Sequence, residues 1–143
     1  MDTTLSITKV FNANVAAVYN AWIDPEQLSA WMGPVEMRST VHSIDARVGG
    51  AYRIGMTGKD GNEYVVGGIY KEVSPPHKLV MTWQWEEGAM GETAASLVTV
   101  TFKEVSGKTE MTLVHERLAN AQSRDNHLQG WTSSLSKFEK LVV

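Results

Sequence analysis

The chain has 143 residues, a formal net charge of −3, 43% hydrophobic residues and no cysteine. That length and composition fit one folded domain with a sizeable core and exclude a disordered chain. The acidic balance excludes a general nucleic-acid binder, which needs a basic face, and the missing cysteine excludes disulfides, thiol catalysis and cysteine-ligated zinc.

Met1 to Leu5 lacks the basic and apolar regions of a signal peptide. The nearest long uncharged stretch, Val10 to Ile23, is interrupted by asparagines and is shorter than the ~20 apolar residues of a spanning helix. The expectation is a soluble, cytoplasmic protein with no membrane and no nucleic-acid partner. Leu5 to Phe11 alternates as an edge strand. Asn14 then caps a helix whose face is Val15, Val18, Tyr19 and Trp22. A second helix starts at Asp24-Pro25-Glu26-Gln27, with Asp24 as N-cap, Pro25 in the first helical position and Gln27 at the capping-box position. It buries Leu28 and Trp31 and ends at Gly33-Pro34.

From Val35 to Glu116 the period becomes two. Six strands are predicted: Val35–Ala46, Ala51–Thr57, Tyr64–Val73, Leu79–Glu86, Ala95–Val105 and Thr109–Glu116. Gly49-Gly50, Asp60-Gly61, Ser74-Pro75-Pro76 and Ser106-Gly107 supply turns, and a glycine-rich loop spans Glu87 to Glu92. Short connections favour sequential antiparallel pairing. A long last helix begins near Ser123, with Asp125 and His127 in its first turn, Lys137 and Lys140 near its end, and an apolar stripe of Leu128, Trp131, Leu135, Phe138 and Val142.

Alternation sorts the strands into two faces. Tyr52, Ile54, Met56, Met81, Trp83, Trp85, Val98, Val100, Phe102, Met111, Leu113 and His115 form the apolar one. Arg53, Thr82, Gln84, Thr99, Thr101, Lys103, Thr112 and Glu116 face water. An antiparallel sheet with one long helix across its apolar face follows. Gly49-Gly50 and Gly67-Gly68 are candidates for the bulges or bends of a curved sheet. The bulky side chains either fill a dry core or leave a cavity under the helix.

Several motifs in order resemble a known family. These are Phe11-Asn12-Ala13 leading into Val15 to Trp22, Asp24-Pro25-Glu26-Gln27-Leu28 with Trp31, and Val48-Gly49-Gly50-Ala51-Tyr52-Arg53. Gly68 to Pro76, Lys78 to Trp83, Val98 to Phe102, Thr109 to His115 and Gly130-Trp131 continue the series. The chain resembles the START-like, or SRPBCC, superfamily, specifically the domain related to the activator of Hsp90 ATPase. The resemblance spans nearly the whole chain, residues 1–143 as one domain. It implies an α+β helix-grip (START/Bet v 1-like) fold, β-αα-β6-α, in which a curved antiparallel sheet wraps a long C-terminal helix around an apolar cavity. It also implies either a ligand carrier or a co-chaperone with a stress-response setting. The eukaryotic co-chaperones carry a further domain ahead of this one that these 143 residues do not match, which places the ligand reading first.

None of His42, His77, His115 and His127 stands at metal-ligand spacing, so no metal and no cofactor are expected. His77 sits in a turn; His115 ends an apolar face and His127 precedes Trp131 by one helical turn, so the two histidines can meet at a cavity mouth. Glu86, Glu87 and Glu92 flank the glycine-rich loop and are either an acid–base pair or a solvated loop. Arg38, Arg47 and Arg53 are candidates for an anion clamp, with Arg53 on the wet face. Gly130 either leaves room for a ligand or permits close packing. The expected ligand-binding set is Trp31, Tyr52, Met56, Met81, Trp83, Val100, Leu113, His115, His127, Gly130, Trp131 and Leu135. The function expected first is binding of a small hydrophobic or amphipathic molecule by a monomer or homodimer. The alternatives are a module that contacts a chaperone or other protein partner, and a cyclase or hydrolase acting on a hydrophobic substrate.

Overall fold

The structure, a computed structural model, describes residues 3–87 and 94–142. Among these the elements are β1 (Leu5–Phe11), α1 (Val15–Ile23), α2 (Pro25–Trp31), β2 (Arg38–Ile44), β3 (Ala51–Thr57), β4 (Glu63–Ser74), β5 (Lys78–Trp85), β6 (Ser96–Val105), β7 (Lys108–Glu116) and α3 (Ala121–Val142). Every strand pair is antiparallel, in the order β1-β7-β6-β5-β4-β3-β2. Each strand from β3 to β7 pairs with its predecessor, β1 closes one edge against β7, and β2 forms the other edge. The architecture is the curved sheet and long helix of the helix-grip fold.

The helix boundaries follow from capping. Asn14 Oδ1 accepts the Ala17 N–H at 2.8 Å, and Asp24 Oδ1 accepts that of Glu26 at 3.3 Å. Gln27 departs from the capping-box expectation. Its side chain donates to Asp24 Oδ2 (2.9 Å), because the Asp24 N–H is already engaged by Asn20 O (2.9 Å). β2 starts at Arg38 instead of Val35, since Met37 N closes a turn onto Pro34 O (2.9 Å) and the Ser133 hydroxyl takes the Val35 N–H (2.8 Å).

α3 starts at Ala121, ahead of Ser123, because Asn120 Oδ1 caps it through Ser123 N (2.8 Å). Asp125 and His127 therefore lie beyond the first turn. Leu128, assigned to the apolar stripe, is 39% exposed. The buried face is Ser123, His127, Trp131, Ser134, Leu135 and Phe138, and Leu128 stands about 100° around the helix from His127.

All the side chains of the apolar sheet face are buried, while the opposite face carries exposed or half-exposed residues such as Arg53, Gln84 and Lys103. On that outer face Thr8 and Thr112 Oγ1 meet at 3.1 Å across the β1–β7 pair. The bulges do not fall at the glycine pairs, whereas the expected bend does fall at Gly67-Gly68. The bulges fall at His42 and Lys71, where the β2–β3 and β4–β5 registers shift. Gly67 and Gly68 stay in register at a bend: a Cβ on Gly68 would lie 1.9 Å from Thr82 O. That carbonyl accepts the Tyr52 hydroxyl (2.6 Å), and Thr82 Oγ1 accepts the Ile69 N–H (2.8 Å). Gly68→Ala should thus lower stability by about 1–3 kcal/mol through overpacking against backbone. A urea midpoint equal to that of the parent protein would refute this close approach.

Candidate functional site

The space between sheet and α3 is mostly filled by aromatic rings. Trp22 meets Trp31 at 4.7 Å between centroids, Trp31 meets Phe138 edge-on at 4.8 Å, and Phe138 meets Phe11 at 4.8 Å. Trp31 Nε1 donates to Ala21 O (2.7 Å) and Trp22 Nε1 to Met111 Sδ (3.4 Å). This end of the molecule is a dry core.

The other end is not filled. A cavity of about 160 Å³ lies between the segment 32–37, β3, β4, β5 and α3. Its inner wall is Met32, Met56, Trp83, Trp85, Trp131, His127 and Ser134, all buried. Half-exposed Pro34, Met37 and Gly130 and the exposed Tyr64 stand at its mouth. Met56, Trp83, His127, Gly130 and Trp131 of the expected set therefore line it. Trp31, Tyr52, Met81, Val100, Leu113, His115 and Leu135 do not. They are buried in the packed core. Gly130 borders open space, since a Cβ there meets nothing within 4 Å; it is not a tight packing position.

Seven further residues line the cavity without having been singled out: Met32, Gly33, Pro34, Met37, Tyr64, Trp85 and Ser134. Trp85 was visible by alternation with Trp83. Met32 to Pro34 lie at the end of a helix and Val35 to Met37 read as the start of a strand, and Ser134 reads as polar although its hydroxyl turns back to Gly130 O (2.9 Å).

His115 and His127 do meet, with ring centroids 5.0 Å apart, but beneath the cavity and not at its mouth. Each accepts a hydrogen bond from a tryptophan. Trp131 Nε1 donates to His115 Nδ1 (3.0 Å), which leaves His115 Nε2–H to donate to Ser96 Oγ (2.7 Å); Ser96 in turn donates to Trp83 O (3.1 Å). Trp85 Nε1 donates to His127 Nε2 (3.0 Å), and His127 Nδ1–H donates to Ser123 O (2.8 Å). Both rings thus have both nitrogens engaged within the protein, which corrects their expected part as polar anchors. Burial, reinforced by the neighbouring His127, lowers the His115 pKa to about 3. Trp83 Nε1 is sealed from solvent and has no partner among the described residues.

The other candidate groups do not converge here. Arg53 forms a two-pronged ion pair with Glu86 (2.8 and 3.1 Å) on the outer face, and this bond lowers the Glu86 pKa. Arg47 pairs with Asp45 (2.9 Å), Arg38 is exposed, and His42 bonds Glu63 (2.9 Å). In the outer depression around Arg53, the Arg53 and Glu86 charges are thus matched to each other. Gly88, Gly91 and Glu92 of the glycine-rich loop lie outside the described residues. Among the described residues, no cluster of His, Asp or Glu side chains has the grouping of a metal site, and no helix is long and apolar enough to cross a membrane.

The sequence model of the Activator of Hsp90 ATPase homolog 1-like protein family matches residues 12–143. The chain belongs to that family. Its fold is shared by protein CV1439 from Chromobacterium violaceum, 29% identical, with a TM-score of 0.91 over 98% of this chain and 96% of that one. Protein Ms6760 from Mycobacterium smegmatis is also 29% identical, with a TM-score of 0.83 over 99% and 91% of the two chains. The AHSA1 protein from Silicibacter pomeroyi is 28% identical, with a TM-score of 0.82 over 96% and 95%. No curated protein matches the sequence.

His115 makes the fold sensitive to acid. Its folded pKa of about 3 lies below the ordinary 6.5, so between those values the unfolded chain binds a proton that the native chain refuses. Its contribution is complete above about pH 6.5 and declines as pH falls towards 3, by about 1.4 kcal/mol per pH unit and on the order of 5 kcal/mol in all. Denaturant midpoints measured from pH 7 down to pH 4 should fall accordingly. A midpoint constant over that range would contradict the neutral, tryptophan-locked histidine.

Proposed function

We propose that this protein binds a small apolar or amphipathic molecule whose hydrophobic part is about the size of one aromatic ring. The cavity under α3 carries this reading. It is walled by tryptophan and methionine, opens past Tyr64 and Gly130, and measures about 160 Å³. An apolar cavity of roughly 150 Å³ accepts benzene, whereas drug-sized ligands need about 300 Å³ or more. Size therefore favours a single ring over a fused-ring compound or a fatty chain.

Release of water from the apolar surfaces supplies the affinity. Thioether sulfurs and indole faces suit an aromatic guest, through sulfur–ring and offset ring contacts. Family membership accords with a chaperone partner as well as with a small-molecule one; the cavity tips the reading to the small molecule. An enzyme reading has less support, because the two histidines beside the cavity are committed to tryptophan, serine and backbone partners.

Thermal unfolding in the presence of toluene or benzene tests the proposal. Free ligand at about 100 times its Kd should stabilise the protein by about 2.7 kcal/mol and raise Tm by several degrees, and a three-ring aromatic should give no shift. If no single-ring compound moves Tm or perturbs the tryptophan fluorescence, the cavity is not a binding site.

A further inference from the structure

We infer that the ligand is bipartite, an apolar ring carrying an uncharged hydrogen-bonding tail that leaves the cavity over Gly130. This inference rests on the cavity reading above and extends it to the part of the ligand outside.

The interior offers a ligand almost nothing polar. Ser134 Oγ donates to Gly130 O, both His127 nitrogens are engaged, the Trp85 and Trp131 N–H groups are given to the histidines, and the Trp83 N–H is covered. A polar atom inside would lose its water without replacement. It must therefore lie beyond the mouth. Two residues, Pro34 and Gly130, line both the cavity and a neighbouring surface groove, whose remaining walls are Glu36, Asn126, Gln129 and Ser133. The groove is hydrogen-bonding in character where the cavity is apolar.

Gly130 is the saddle between them. It is mid-helix, where alanine is the better helix former, and no local packing requires its lack of a side chain, since a Cβ meets nothing within 4 Å. Its consequence is an open path from the ring site to the groove. Beyond it, the exposed Gln129 side chain makes no hydrogen bond among the described residues, and the Asn126 side chain uses only its carbonyl oxygen, which accepts from Gln122 (3.1 Å). Both amides can serve a hydroxyl, ether or amide on the tail. Glu36 is the ionisable residue in the groove wall, and the nearby Lys137 ammonium is turned to the Met32 and Pro34 carbonyls (3.4 and 3.3 Å). A carboxylate tail meets the Glu36 charge without a compensating cation in that wall.

The test compares toluene, n-propylbenzene, 3-phenylpropan-1-ol and 3-phenylpropanoate by fluorescence titration of the full chain. The alcohol should bind at least as tightly as n-propylbenzene although water solvates it better, and the carboxylate more weakly than the alcohol. Replacing Asn126 and Gln129 by alanine together should weaken the alcohol by about tenfold and leave toluene and n-propylbenzene unchanged. Gly130→Val, which adds volume at the mouth, should weaken n-propylbenzene and 3-phenylpropan-1-ol by more than it weakens toluene, and a melt confirms that the variant is folded. Loss of all three neutral ligands alike in Asn126→Ala/Gln129→Ala, tighter binding of the carboxylate than of the alcohol, or a Gly130→Val protein that binds the tailed compounds normally would each overturn the bipartite ligand. Failure of toluene itself to bind the parent protein would instead remove the cavity reading on which it rests.

Discussion

The hydrogen bonds from two tryptophans to two buried histidines tie this molecule together across its layers. Trp131 and His127 belong to α3, Trp85 and His115 to the sheet, and each bond crosses from one to the other. A buried imidazole is tolerable only when both nitrogens find partners. Here Ser96 Oγ and Ser123 O complete the set. The arrangement fixes the tautomer of each ring, the height of the helix over β5 and β7, and the orientation of the indoles of Trp85 and Trp131 that face the cavity. Removing any member leaves a buried polar group without its partner.

That network also divides the interior. On one side the rings of Phe11, Trp22, Trp31 and Phe138 interlock at centroid separations of 4.7–4.8 Å along the chain Trp22–Trp31–Phe138–Phe11. On the other side, Met32, Met56 and Trp83 wall a gap beside α3, and Gly130 adds no side chain to close it. The fold of the Activator of Hsp90 ATPase homolog 1-like family thus presents in this chain a small pocket near one end of the grip, bounded by segment 32–37. Two polar ties hold that segment to the helix: Val35 N to Ser133 Oγ (2.8 Å) and Lys137 Nζ to the carbonyls of Met32 and Pro34. Burial lowers the Lys137 pKa, partly opposed by Glu36, as its ammonium exchanges water for those carbonyls.

The sheet contributes curvature by close backbone approach and by unpaired residues in bulges. At Gly68 the strands come so near that no side chain fits, and Tyr52 and Thr82 satisfy the polar groups which the bend withdraws from the ladder. Salt bridges contribute little to this frame. The Arg53–Glu86 and His42–Glu63 pairs lie on the outer face with substantial exposure, where water and salt screen them.

The sequence by itself determined the element order, the inward face of the sheet and the caps at Asn14 and Asp24, because these depend on periods and local hydrogen bonds that a short stretch of chain carries within itself. Tyr52, Met81 and Trp85 were legible as inward residues from alternation alone. Which inward residues border empty space was not legible, since a cavity is a volume left over when distant elements pack, and Met56 beside it and Leu113 away from it carry the same local signal. The partners of His115 and His127 were equally hidden: Ser96 and Trp131 stand 19 and 16 residues from His115, and Trp85 stands 42 from His127. Only the tertiary structure decided that two seemingly open histidine positions are closed off by tryptophans, and that the apolar surface of segment 32–37, whose last residues read as strand, completes the site.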